Sequence, residues 1–271
     1  MALGPTPEWV ERYQTNTPPV PGWFSDVDLH LFALINEIQL ASRVAGDLLE
    51  VGAYLGKSAI PLGFMCRENE SLTIIDLWDQ AAYLEALEHQ DRYRGRVSRQ
   101  EVEARRIAPH NRAEFTANYR RFHDRLPDIR QGLSSEHLTQ LPAERFRFIH
   151  IDGAHDWGAV SGDLNQALRI LLPGGVVVFD DVFHPDWPGI GAAVWPACAK
   201  GDLVPIATTN DKLYATRAPS SVSAASIARV VEEDPELLIL ALEPMFDGDV
   251  LMVTGSPPPP PPPPLLGRLL S

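Results

Sequence analysis

The sequence predicts a doubly wound α/β domain built on a mostly parallel sheet of seven strands, the last two forming an antiparallel hairpin. Three observations carry that prediction. The first is the stretch RFIHIDGAHDWGAVSGDLNQALRILLPGGVVVFDDV, from Arg147 to Val182. It opens on a short apolar run, Phe146 to Ile151. It continues with Val160, Leu164, Leu168 and Leu171 at helical spacing, then turns at Pro173-Gly174-Gly175 into the β-branched run Val176 to Phe179. That is the grammar of two buried parallel strands joined by a crossover helix. The second is a pair of further buried runs, Asp47 to Gly52 and Leu72 to Ile75, the former leading into a helix over Lys57 to Met65. The third is the pairing of Leu203–Ala207 with Lys212–Thr216 through Thr208 to Asp211, which reads as a hairpin.

The remaining elements follow in order. Residues 1–25 hold five prolines with Trp9, Tyr13, Trp23 and Phe24, and read as an extended arm or as a lid with aromatic walls. Ser25 is a suitable N-cap, with Asp26 and Asp28 in the first turn, for a helix running to about Ala45. Between Leu77 and Pro127 lies a polar, largely helical insertion (78–126), far longer than an ordinary connection. A short strand near Ile129 to Gly132 precedes a helix start at Ser134-Ser135, and a helix is expected from Ile190 to Cys198. The main domain therefore spans 26–218. An extension over 219–256 contains a helix around Ala224 to Glu233 and an apolar segment, Leu237 to Leu242. The tail, 257–271, begins with eight consecutive prolines, read as a polyproline II spacer.

Composition narrows the function. A chain of 271 residues, 45% hydrophobic and 22% charged, has the makings of a sizeable core. A net charge of -13 argues against a nucleic-acid partner, which would need clustered Lys and Arg. Cys66 and Cys198 lack metal-type spacing and suit a reducing compartment. No apolar run approaches the roughly 18 residues of a membrane span, and the N-terminus lacks a secretory pattern. The expectation is a soluble, cytoplasmic protein with no membrane partner. Self-association into a homo-oligomer is left open.

Three groups of residues carry chemistry. Glu50-Val51-Gly52-Ala53-Tyr54-Leu55-Gly56 is a glycine-bearing loop between a strand and a helix, where backbone can approach a ligand closely. Asp76, after the next strand, is placed for ribose hydroxyls. The loop lacks the third glycine of a dinucleotide fingerprint, so a nucleoside without pyrophosphate fits better than NAD. Asp152, Asp180 and Asp181 fall at the carboxyl edge of parallel strands, where ligands bind in such sheets. Three carboxylates there repel unless a cation or substrate lies between them. The plainer alternatives stay open on residues alone: a helix cap for Asp180-Asp181, a helix-start role for His155, packing for Trp157, a structural strand residue for His150 and a packed loop for His184 and Trp187.

LLEVGAYLGKSAI, LTIIDLWD and FIHIDGAHDWGAVSGDLNQALRILLPGGVVVFDDV together resemble the class I S-adenosylmethionine-dependent methyltransferases. Within them the chain is most similar to metal-dependent, small-molecule O-methyltransferases of the macrolide-sugar type. The resemblance implies a Rossmann-like sheet with S-adenosylmethionine bound by Glu50, Gly52, Ala53, Tyr54, Gly56 and Ser58. It implies Asp76 on the ribose, Ser134 or Ser135 beside the adenine, and Asp152 at the cofactor's edge. It further implies Mg²⁺ held by Asp152, Asp180 and Asp181, His155 as general base, and His184 and Trp187 near a hydroxylated small-molecule acceptor. Two rivals stay open: a metal-using enzyme of this fold with different chemistry, such as hydroxylation, and a non-catalytic cofactor-binding scaffold. The absence of a large N-terminal domain and the insertion after Asp76 leave the acceptor unspecified.

Overall fold

The computed structural model describes residues 6–79 and 110–256. Most of the expected insertion and the whole proline run lie outside the described residues. An N-terminal helix, α1 (Glu8–Gln14), precedes α2 (Asp26–Ala41), so the arm is partly helical and not simply extended. Ser25 caps α2 as its sequence predicts: its Oγ accepts from the Asp28 amide at 3.1 Å and donates to the Asp28 carboxylate at 2.6 Å. Then come β1 (Asp47–Val51), α3 (Ala59–Met65), β2 (Leu72–Asp76), α4 (Arg112–Arg120), β3 (Asp128–Gln131) and α5 (Ser134–Leu138). The central crossover follows as β4 (Phe146–Ile151), α6 (Trp157–Ile170) and β5 (Leu171–Phe179). The chain continues with α7 (Pro188–Ala199), β6 (Val204–Thr208), β7 (Leu213–Thr216), α8 (Ala224–Val231), β8 (Leu237–Met245) and β9 (Gly248–Gly255).

These strands form one sheet in the order β3-β2-β1-β4-β5-β7-β6-β9-β8. The first five are parallel, and β7 runs antiparallel between β5 and β6. The order reverses between β1 and β4, where the carboxyl ends of two parallel strands diverge and leave a crevice. Side chains alternate across the sheet. Leu48 and Phe148 enter the core shared with α2, α3, α4 and α8, whereas Leu49 and Ile149 enter the core under α5, α6 and α7.

Among the described residues the sheet has nine strands where seven were expected. β8 grows out of the segment read only as apolar, Leu237 to Leu242, and β9 lies in the stretch after it that was given no element. Asp247-Gly248 between two apolar runs is the hairpin signal that would have revealed it. The Pro173–Gly175 turn is also part of β5, which starts directly where α6 ends and absorbs the turn as an irregularity opposite β4.

At the end of the sheet away from the crevice, Arg147 is fully buried yet fully bonded. Its guanidinium grips Glu70 through Nε at 2.9 Å and Nη2 at 2.8 Å, Gln39 at 2.7 Å and the Met65 carbonyl at 2.7 Å. A charge in the core is tolerable only when so completely partnered. This one ties α2 and the end of α3 to β4. Among the described residues no helix is long and apolar enough to cross a membrane.

Candidate active site

A cavity of about 620 Å³ opens at the carboxyl ends of β1, β2 and β4, within the size range of small-molecule sites. Gly52 forms its neck. With φ at +84°, it holds a conformation L side chains avoid, and a Cβ there would stand 1.8 Å from the Asp152 carbonyl oxygen. The ends of β1 and β4 can approach only because no side chain intervenes. Beyond it, Tyr54 also has a positive φ, +48°. The strained loop is clamped by Asp76, whose Oδ2 accepts from the amides of Ala53 at 2.7 Å and Tyr54 at 2.8 Å. The other oxygen of Asp76 accepts from the Trp78 amide at 2.7 Å and lies 3.5 Å from His110 Nε2.

Gly52, Ala53, Tyr54, Ser58, Asp76, Ser134 and Asp152 all line the cavity. Other expected cofactor residues do not. Glu50 points to the opposite side of the sheet from Val51, where it is fully buried and meets its cross-strand partner His150 at 2.8 Å. Strand alternation keeps its side chain off the cavity lining. Gly56 turns at φ +95° against Phe115, and Ser135 also stays outside the lining. Ser134 bonds Asp163, a buried carboxyl on α6. Burial pushes the Asp163 carboxyl up to about 6 despite that bond.

The N-terminal arm reaches the same opening. Gly22 and Trp23 line it, Trp23 stands 5.5 Å from the Tyr54 ring, and Lys57 donates to the Gly22 carbonyl at 3.1 Å. Tyr13 donates to the Lys57 carbonyl at 2.6 Å.

His155 lines the cavity, its Nε2 lies 3.0 Å from Asp181 Oδ2 and 3.9 Å from Asp152 Oδ1, and its ring stacks on Trp187 at 4.8 Å. Asp152 and Asp180 are in hydrogen-bond contact with each other. Burial, and then the Asp180 charge, raise Asp152 well above the carboxylate range. Asp180 goes the other way: burial opposes its charge, but the Lys212 ammonium outweighs it and holds the carboxyl down at about 2. Lys212, on the turn before β7, touches Asp180 with only 2% of its side chain exposed. His184 lies outside the cavity lining, its Nδ1 accepting from the Asp186 amide at 3.2 Å.

These residues fit a divalent cation. Donor atoms of His150, Asp152 and Asp180 lie within 4.8 Å of one another, and His150 Nε2 is buried without a hydrogen-bond partner among the described residues. Asp181 takes a left-handed bend at φ +55° toward His155 instead of joining that group. With all three aspartates ionised, Lys212 would leave two negative charges uncompensated, the deficit a hard dication matches. Nothing in the sequence marks Lys212, an isolated lysine in a hairpin. His110 and Trp78 were hidden in the insertion.

Residues 49–182 match a family described as a methyltransferase domain. A search of curated proteins found no match. Among solved structures, the O-methyltransferase NovP is 20% identical, with 70% of this chain and 80% of that one covered at a TM-score of 0.53. A protein from Corynebacterium glutamicum is 14% identical over 77% and 89%, with a TM-score of 0.50. CalS11, a calicheamicin methyltransferase, is 15% identical over 79% and 92%, with a TM-score of 0.50. The matched residues carry both the glycine loop and the carboxylate cluster, and these structures share the sheet that displays them. Residues 49–182 are thus similar to a methyltransferase domain, carried on a fold shared with NovP and CalS11.

Proposed function

We propose that the protein methylates a hydroxyl group of a small molecule, with Mg²⁺ beside the acceptor and His155 as general base. A sugar of a natural product is the acceptor class that the sequence resemblance favours. The observation that carries this reading is the position of His155. It borders the cavity and reaches the carboxylate cluster through Nε2. S-adenosylmethionine supplies an electrophilic methyl on a sulfonium, so the protein's chief task is alignment. Mg²⁺, when bound at the aspartates, would lower the pKa of an acceptor hydroxyl.

The chain's own groups do the rest. The Gly52–Tyr54 backbone and Asp76 shape the cofactor side, with Ser134 at the adenine end. Asp152 and Asp180 would hold the cation, and Asp181 orients His155 by accepting from Nε2. The other ring nitrogen of His155, Nδ1, then takes the hydroxyl proton. Trp187 buttresses that ring from outside and offers an apolar wall to the acceptor. The arm over residues 1–25 acts as a lid through Trp23. NovP, which shares the fold and is described as an O-methyltransferase, supports the O-methyl reading.

Calorimetric titration of S-adenosylmethionine and S-adenosylhomocysteine, in magnesium and in chelator, tests the cofactor side. Absence of binding in both media sinks it. Methyl transfer to a panel of hydroxylated acceptors tests the rest: undiminished turnover in excess chelator removes the metal, and methylation of amines or carbons alone removes the O-methyl assignment.

A further inference from the structure

Glu50 on β1 and His150 on β4 face each other in register, and both side chains are fully buried. Nδ1 of His150 lies 2.8 Å from Glu50 Oε1, which accounts for one ring nitrogen. The other, Nε2, is buried without a hydrogen-bond partner among the described residues. A polar atom left so in the interior is costly, and the rings of Phe24 and Phe32 packed on the imidazole offer no acceptor or donor. The polar groups nearby are the carboxylates. Donor atoms of His150, Asp152 and Asp180 lie within 4.8 Å of one another, near enough to meet on one ion after small side-chain movements.

We infer that His150 Nε2 is a ligand of the dication, together with Asp152 and Asp180, and that this nitrogen selects a first-row transition metal over Mg²⁺. The inference rests on the metal reading above and amends its ion. Asp181, expected as the third ligand, turns to His155 instead, and His150 takes its place in the group. With the Glu50 carboxylate accepting from Nδ1, the ring proton is fixed there and Nε2 presents its lone pair. Metal-binding histidines are commonly held in this way, by a carboxylate on the far nitrogen. Glu50 is therefore a positioning residue, which gives a reason for a carboxylate inside a buried strand. The charge deficit calls for a dication, and the donor set decides which one. Mg²⁺ takes oxygen ligands. Two carboxylates and an imidazole form a mixed set, for which affinity rises from Mn²⁺ towards Co²⁺ and beyond.

The test uses the full chain, stripped with chelator and titrated with Mg²⁺, Mn²⁺ or Co²⁺ alone. Calorimetry should find Co²⁺ bound at least ~100-fold more tightly than Mg²⁺, with Mn²⁺ between them. Pulsed electron paramagnetic resonance of the Mn²⁺ complex should show coupling to a directly bound imidazole nitrogen, altered when histidine is labelled with ¹⁵N. That coupling should persist in His155→Gln and vanish in His150→Gln, which offers oxygen in place of nitrogen. Glu50→Gln should keep the coupling but lower Co²⁺ affinity about 10–100-fold. Should His150→Gln misfold by circular dichroism, the labelled native chain and His155→Gln decide the matter. Dication binding without nitrogen coupling, coupling that disappears in His155→Gln, or equal affinity for Mg²⁺ and Co²⁺ overturns the inference and leaves the metal reading standing. Failure of all three ions to bind removes that reading, and the inference with it.

Discussion

His155 Nε2 lies 3.0 Å from Asp181 Oδ2, and the Trp187 ring covers the imidazole at 4.8 Å. The imidazole is thus held from two sides while its edge stays open to the cavity. A residue doing general-base work needs this combination of fixed orientation and access. His155→Gln should lower turnover by roughly 10²–10⁴-fold while cofactor affinity stays within a few-fold. Turnover within a few-fold of the native chain would show that another group takes the proton.

Gly52 tests the loop. A methyl group there would occupy the Asp152 carbonyl, so Gly52→Ala must push β1 and β4 apart at the cavity neck. Cofactor affinity should fall by more than tenfold and stability by about 1–3 kcal/mol. Isothermal calorimetry and urea unfolding read the two effects separately. A variant that binds as tightly as the native chain would show that the neck is not where the cofactor lies.

Lys212 and Asp180 form a buried pair whose removal one partner at a time leaves an unbalanced charge. Lys212→Met should cost about 3–5 kcal/mol in urea unfolding, because Asp180 then stands uncompensated beside Asp152. Adding Asp180→Asn to Lys212→Met should restore much of that loss. Simple additivity in this double-mutant cycle would mean the two groups are not coupled.

Asp163 yields a pH signature. Its carboxyl holds the proton up to about pH 6 in the folded chain, whereas an unfolded aspartate loses it near 3.9. The folded state therefore carries no penalty at pH below about 4, and a full one above about 6. Asp163→Asn should stabilise the protein at pH 8, by up to about 2–3 kcal/mol, and much less at pH 4. Equal effects at both pH values would place the raised protonation elsewhere.

Much of this was legible in one dimension because it depends on local pattern. The crossover from Phe146 to Phe179, the Ser25 cap and the turn residues at Gly52 each follow from spacing and backbone preference. The carboxyl edge holding Asp152, Asp180 and Asp181 follows from the same pattern, because parallel strands deliver their final residues to one side. The β8–β9 hairpin was missed although Asp247-Gly248 announced it, since an apolar run such as LLILAL fits helix and strand equally.

The sequence by itself determined the parallel sheet, the edge at which the chemistry gathers and the residue types available there. Only the tertiary structure decided which of those residues share a space. Glu50 leaves the cavity because strand alternation turns it toward His150, while Lys212 joins the cluster because β7 is inserted beside β5. Burial pushes the Asp152 carboxyl up, while the Lys212 ammonium holds the Asp180 carboxyl down. Burial, cross-strand register and the distance between charges belong to the assembled sheet, and no spacing along the chain encodes them.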